Sequence, residues 1–165
     1  MNKRIDKINY YLDIAETVAS RSTCLRKKYG TVIVNKDQII STGYNGAPRG
    51  RKNCCDIGMC TKKKLLPQER HGGYDACRSV HSEQNAIISA SRQEMLGATL
   101  YLVGYRTEEP NLYEEGAAPC LMCRKLIINS GIRNVIVRVN KKEFVEFLVE
   151  DWIKNDELLE GRTSY

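Results

Sequence analysis

Two short runs in this 165-residue chain combine metal-ligand side chains with a carboxylate: His81-Ser82-Glu83 and Pro119-Cys120-Leu121-Met122-Cys123. Cys120 and Cys123 stand three residues apart, a spacing that turns both sulfurs to one side at the start of a helix, where the helix dipole favours thiolate. His81, opening a second helix, can add a third protein ligand and leave zinc the open fourth position that a hydrolytic site needs for water. Glu83 follows His81 by two and so does not share its helical face. That places it beside the bound water as a second functional group, not among the ligands. The competing reading is a zinc ribbon made of Cys120, Cys123 and two other cysteines, which leaves Glu83 and the Pro119 turn without a role. Each run alone is weak, and their order and helix placement give the joint signal its strength.

These residues need elements to hold them. Ile5, Ile8, Leu12, Ala15 and Val18 recur at helical spacing, which predicts an amphipathic helix over 4–20. Residues 31–34 and 38–42 are β-rich and flank a turn composition at 35–37, so a hairpin is expected. From 43 to about 80 nothing is periodic, although the stretch carries Cys54, Cys55, Cys60 and Cys77. A loop of that length in a compact domain calls for a function or for a metal to pin it. Beyond it the pattern predicts a helix over 82–92, a strand over 99–103, a helix over 120–130 ended by Gly131, and a strand over 134–139. Phe144, Phe147, Leu148, Trp152 and Ile153 read as a C-terminal helix. Strands alternating with helices after residue 80 argue for an α/β domain with crossover connections.

Composition sets the outer bounds. The chain is 42% hydrophobic and 28% charged, a soluble globular balance and the size of one core. No apolar run approaches the roughly 18 residues of a membrane span, and the first residues lack a signal-peptide core, so a cytoplasmic protein without a membrane partner is expected. In a reducing compartment, seven cysteines are a poor disulfide framework, and metal or thiol chemistry is the better reading. The net charge of +6, from 26 basic against 20 acidic residues, is too modest to select a polynucleotide partner.

Taken together, Ser22-Thr-Cys24, Gly43-Tyr-Asn-Gly-Ala-Pro48, His81-Ser-Glu-Gln-Asn-Ala86 and Pro119-Cys-Leu-Met-Cys123 with Asn129-Ser-Gly-Ile132 resemble the deoxycytidylate (dCMP) deaminases of the cytidine deaminase superfamily. The resemblance runs from about residue 5 to 140. It implies a three-layer α/β/α cytidine deaminase-like fold with a central mixed sheet, in one zinc-dependent domain over 1–165 with a metal-pinned insert at about 44–79. The implied reaction is zinc-dependent hydrolytic deamination of dCMP to dUMP and ammonia, supplying dUMP for thymidylate synthesis. In it His81, Cys120 and Cys123 hold the catalytic zinc and Glu83 serves as both base and acid. A second, structural zinc is implied on Cys24, Cys54 and His71, with the fourth ligand open among Cys77, Cys60 and Cys55. Cys77 is preferred because it precedes the catalytic helix. Asn45 is expected on the sugar, the Ser82 backbone near the pyrimidine carbonyl, and Arg49, with Arg51 and Lys52 near it, on the 5′-phosphate.

The resemblance also implies a homo-oligomer, commonly a hexamer, with dCTP and dTTP as effectors and Mg2+ only alongside such a triphosphate. The chain departs from the pattern in two places. Ser82 stands where most relatives carry alanine, and the 104–118 connection is long, so that Tyr105 or Tyr113 is a candidate to stack on the base or the loop a candidate subunit contact. Two other functions compete. One is deamination of cytidine, CMP or a base in single-stranded nucleic acid, although polynucleotide editing would want a basic groove lined with aromatics, and only 7% of residues are aromatic. The other is a non-catalytic zinc-binding regulatory module, which would need the ligands but not Glu83.

Overall fold

Asp6 opens the first helix by accepting the Asn9 N–H at 2.9 Å, and the apolar stripe behind it buries Tyr11, Leu12, Ala15 and Ala19. The computed structural model describes residues 4–66, 73–110, 113 and 118–155. In chain order the elements are α1 (Lys7–Ser20), β1 (Lys27–Asn35), β2 (Gln38–Tyr44), α2 (Cys54–Ile57), α3 (Thr61–Leu65), a 3-10 turn at Tyr74–Ala76, α4 (Ser82–Ile88), α5 (Arg92–Met95), β3 (Thr99–Arg106), α6 (Leu121–Ser130), β4 (Asn134–Arg138), β5 (Phe144–Leu148) and α7 (Val149–Lys154).

β1 and β2 are joined by Lys36 and Asp37, both in the left-handed region, the twist that a two-residue hairpin needs. The five strands run in the order β2-β1-β3-β4-β5, and only β3 and β4 are parallel, joined by the α6 crossover. The sheet is therefore mixed. Alternation along its strands builds two cores. Ile33, Leu100, Leu102, Val135 and Val137 meet Ala86, Ile127 and Trp152 on the α4/α6 side, whereas Val32, Val34, Tyr101, Val103 and Ile136 meet Leu12, Ala15 and Ala19 on the α1 side. Two glycines let the layers close. A Cβ on Gly30 would lie 2.0 Å from the Ala15 carbonyl oxygen, and one on Gly43 would lie 2.3 Å from that of Ser82.

The hairpin, the parallel crossover and the α/β class match the expectation. β1 and β3 run longer than expected, over Lys27–Asn35 and Thr99–Arg106, and two expected helices do not hold. The helix expected over 82–92 stops at Ile88, and a separate turn of helix begins after Ser91, whose hydroxyl accepts the Glu94 N–H. The expected C-terminal helix is mostly a strand: Phe144–Leu148 pairs antiparallel with β4, and only Val149–Lys154 is helical. Phe147 and Trp152 pack on the same core whichever way the chain runs, so their spacing could not tell an edge strand followed by a helix from one helix. Among the described residues no helix is long and apolar enough to cross a membrane.

Candidate active site

α4 descends onto the sheet at Gly43, and its first turn carries His81, Ser82 and Glu83. The entry is held from two sides. The His81 N–H donates to the Gln84 side chain at 2.9 Å, and Val80 exchanges two backbone hydrogen bonds with Gly46, tying this turn to the loop after β2. α6 begins beside it. Arg124 donates from Nε to the Pro119 carbonyl at 2.9 Å while its guanidinium lies over the Trp152 ring, fixing the turn that presents Cys120.

This brings together three of the expected ligands. Both the Cys120 and Cys123 Sγ atoms lie 3.5 Å from His81 Nδ1, and the three ligand atoms all lie within 4.8 Å of one another. Tetrahedral zinc with its usual bond lengths to sulfur and nitrogen would space them at about 3.5 Å. The donor set therefore fits zinc, with three protein ligands and one position left for water.

The electrostatics are those of a site short of a cation. The hydrogen bond from Cys123 brings the Cys120 thiol down to about 4, against the cost of burial and with help from His81. Cys123, the donor of that bond and buried, is pushed up instead, so without metal the pair shares one proton. Burial works against the His81 imidazolium, but the Cys120 sulfur and Glu83 raise its pKa nonetheless. Glu83 is only 5% exposed, and burial raises its carboxyl above the ordinary range even though its own N–H, His81 and the Ser82 hydroxyl favour the charged form.

The remaining expected residues divide. Asn45 is buried, and its side chain is already engaged with β1, accepting the Tyr29 N–H at 2.8 Å and donating to the Lys27 carbonyl at 2.9 Å. Arg49 is exposed in the turn beyond it. His71 lies outside the described residues. Cys24, Cys54 and Cys77 do not form a metal-sized group, since among the described residues only His81, Cys120 and Cys123 do so. They are neighbours all the same: burial chiefly raises the Cys54 thiol, and Cys24, Cys60 and Cys77 add to the rise.

Tyr105 and Tyr113 are not at the site. Both are buried with α1 on the other side of the sheet, and Tyr113 donates its hydroxyl to Glu16 there. The aromatic that does approach is Tyr74, whose ring meets His81 edge-on at 4.6 Å with the Lys62 ammonium over its face. Sequence reasoning missed it because nothing in the aperiodic insert marks which tyrosine folds back. It missed Thr31 as well, read only as a strand residue; its hydroxyl donates to Ser82 at 2.8 Å, and Ser82 donates to Glu83 at 3.0 Å.

Residues 5–139 match the cytidine and deoxycytidylate deaminase zinc-binding region. The chain is 36% identical over 137 residues to a deoxycytidylate deaminase of Mycobacterium phage D29, covering 81% of this chain and 94% of that protein. It is 32% identical to the deoxycytidylate deaminase of Schizosaccharomyces pombe over 78% of this chain but 35% of that protein. Against the apo crystal structure of the dCMP deaminase from cyanophage S-TIM5 the TM-score is 0.55 at 25% identity, covering 82% of this chain and 85% of that one.

Proposed function

The chain belongs to the cytidine and deoxycytidylate deaminase zinc-binding family, and on that premise we propose that it deaminates dCMP hydrolytically to dUMP and ammonia. The observation that carries the reading is the His81, Cys120 and Cys123 cluster with the buried carboxylate of Glu83 two residues from His81. Bound to those three side chains, zinc supplies the Lewis acidity that makes water nucleophilic near neutral pH. Glu83 accepts the proton that the water gives up as it adds to C4 of the pyrimidine. It passes that proton to N3, then takes the proton of the new C4 hydroxyl and delivers it to the amino group, which leaves as ammonia while C4 becomes a carbonyl, one carboxyl acting in turn as base and acid. Burial raises the carboxyl, which makes its ion a better proton acceptor than an exposed carboxylate, while the protonated group remains a far stronger proton donor than water.

Recognition of the nucleotide is assigned to the loop after β2. Asn45, with one amide hydrogen and one lone pair unused by its bonds to β1, contacts the sugar; Arg49 meets the 5′-phosphate, which its guanidinium fork suits. The Ser82 backbone lies at the pyrimidine carbonyl. The same reading extends to a second, structural zinc that would tie the insert to Cys24, on Cys24, Cys54, Cys77 and His71, with Cys60 as the other thiol near Cys54; the three thiols, too far apart as they stand, would have to draw in on the ion. It extends also to homo-oligomeric assembly and to control by dCTP and dTTP, for which family membership is the support.

A deamination assay over dCMP, CMP, deoxycytidine and a cytosine-containing oligonucleotide, with and without dCTP and a chelator, tests the reading. The expected result is a preference for dCMP that the chelator abolishes. Faster turnover of deoxycytidine than of dCMP would overturn the nucleotide assignment.

A further inference from the structure

Thr31 and Ser82 form a buried hydroxyl pair that ends on the carboxylate of Glu83. Both are completely buried, Thr31 Oγ1 lies 2.8 Å from Ser82 Oγ, and Ser82 Oγ lies 3.0 Å from Glu83 Oε2. The route is built by the sheet. Thr31 on β1 pairs across the strand with Gly43 on β2, and it is the missing side chain of Gly43 that lets the first turn of α4 settle low enough for Ser82 to reach Thr31.

The direction of the two bonds is forced by proton supply. In the ionised form that acts as base the carboxylate only accepts, so Ser82 donates to Oε2; that spends its single proton, so Thr31 donates to Ser82. We infer that Thr31 and Ser82 are positioning residues that anchor Oε2 of Glu83 to the sheet, leaving Oε1 as the oxygen that takes up and returns the proton. The inference rests on the proposed role of Glu83 as base and acid. A carboxyl that must both accept a proton and release it at a second atom gains from having one oxygen tied, because its rotation is then limited to a swing about a fixed end.

The test uses zinc-loaded Ser82→Ala, Thr31→Val and Thr31→Ser proteins, with Glu83→Gln as reference. For each, zinc content, kcat and KM for dCMP are measured separately, and a crystal structure reports the setting of the Glu83 carboxylate. The expected result is unchanged zinc and KM, with kcat lower by about tenfold in Ser82→Ala and by about threefold in Thr31→Val, which acts one bond further away. Thr31→Ser, which keeps the donor and loses a methyl, restores kcat. The Glu83 carboxylate is rotated or split between two settings in Ser82→Ala and single in Thr31→Ser.

An undiminished kcat in Ser82→Ala with zinc retained overturns the inference, as does a Thr31→Ser variant no better than Thr31→Val, which would make the effect one of packing. Should Ser82→Ala fail to fold, the contrast between the two Thr31 variants decides alone. The two levels separate cleanly: turnover persisting in Glu83→Gln overturns the role of Glu83 itself, whereas turnover lost there and untouched in Ser82→Ala overturns only the anchoring.

Discussion

On the α1 side of the sheet, Arg138 is 1% exposed and lies 2.7 Å from both Asp13 and Glu16, while Glu16 is also met by Lys141 and by the Tyr113 hydroxyl. On the α4 side, Glu83 is buried more deeply than Glu16, 5% exposed against 23% for the Glu16 side chain, and the charges that it faces are His81 and the Cys120 sulfur. The outcomes are opposite. Burial would raise the Glu16 carboxyl, but bonds from Lys141, Arg138 and Tyr113 outweigh it and hold the pKa low; at Glu83 burial prevails and the pKa rises. Charge completed within the chain holds two elements together, here α1 and the end of β4. Charge left short of a cation costs stability and makes a place for a metal and a reacting molecule.

The same substitution on the two sides should separate these uses. Glu83→Gln is expected to lower kcat on dCMP by about 10³-fold, the scale of lost acid–base catalysis, while zinc content and melting temperature hold or rise. A melting temperature that falls would mean that Glu83 supports the fold, and the contrast between the sides would be lost. Arg138→Met is the converse experiment. Removing the buried cation from between its two carboxylates is expected to cost about 3 kcal/mol in urea unfolding, with kcat of the folded protein and zinc content unchanged. A cost within experimental error would show that the network contributes nothing net.

The contrast also marks what could be read beforehand. His81, Glu83, Cys120 and Cys123 were legible because helix geometry converts their spacing directly into position: a ligand at one helix start and two at another need only the layers to meet. The layers were legible too, since β1, β3 and β4 carry runs of apolar residues between turn signals. Arg138 was not. It is the one charged residue at the end of an apolar strand, and its partners Asp13 and Glu16 come from more than a hundred residues away on the polar face of α1. The Thr31 to Ser82 bond spans 51 residues and depends on a close approach at Gly43 that no local pattern announces. The insert resisted for a different reason: its cysteines are held by short helices and by loop contacts, such as the Thr61 N–H to Cys54, that follow no period.

The smallest expected effect is also the one whose sign is most specific. Because the Glu16 carboxyl is held below its ordinary value of 4.5, its ion contributes stability that is fully present above that pH and is lost as the pH falls through the lower, folded value. Glu16→Gln keeps the shape and removes the charge, so it is expected to cost about 1.5 kcal/mol at neutral pH, the scale of a hydrogen bond to a charged partner, with the gap from the unaltered protein closing as the pH drops below about 4.5. Urea unfolding at a series of pH values reads this directly. A gap that stays constant into acid would assign the loss to packing around Tyr113 and not to charge. Glu83 has its folded pKa raised instead, so its ion opposes folding in full above that raised value; the Glu83→Gln gap should have the reverse sign and close earlier in the descent, before the pH reaches about 4.5, because a protonated carboxyl on either side of the sheet no longer differs in charge from the amide that replaces it.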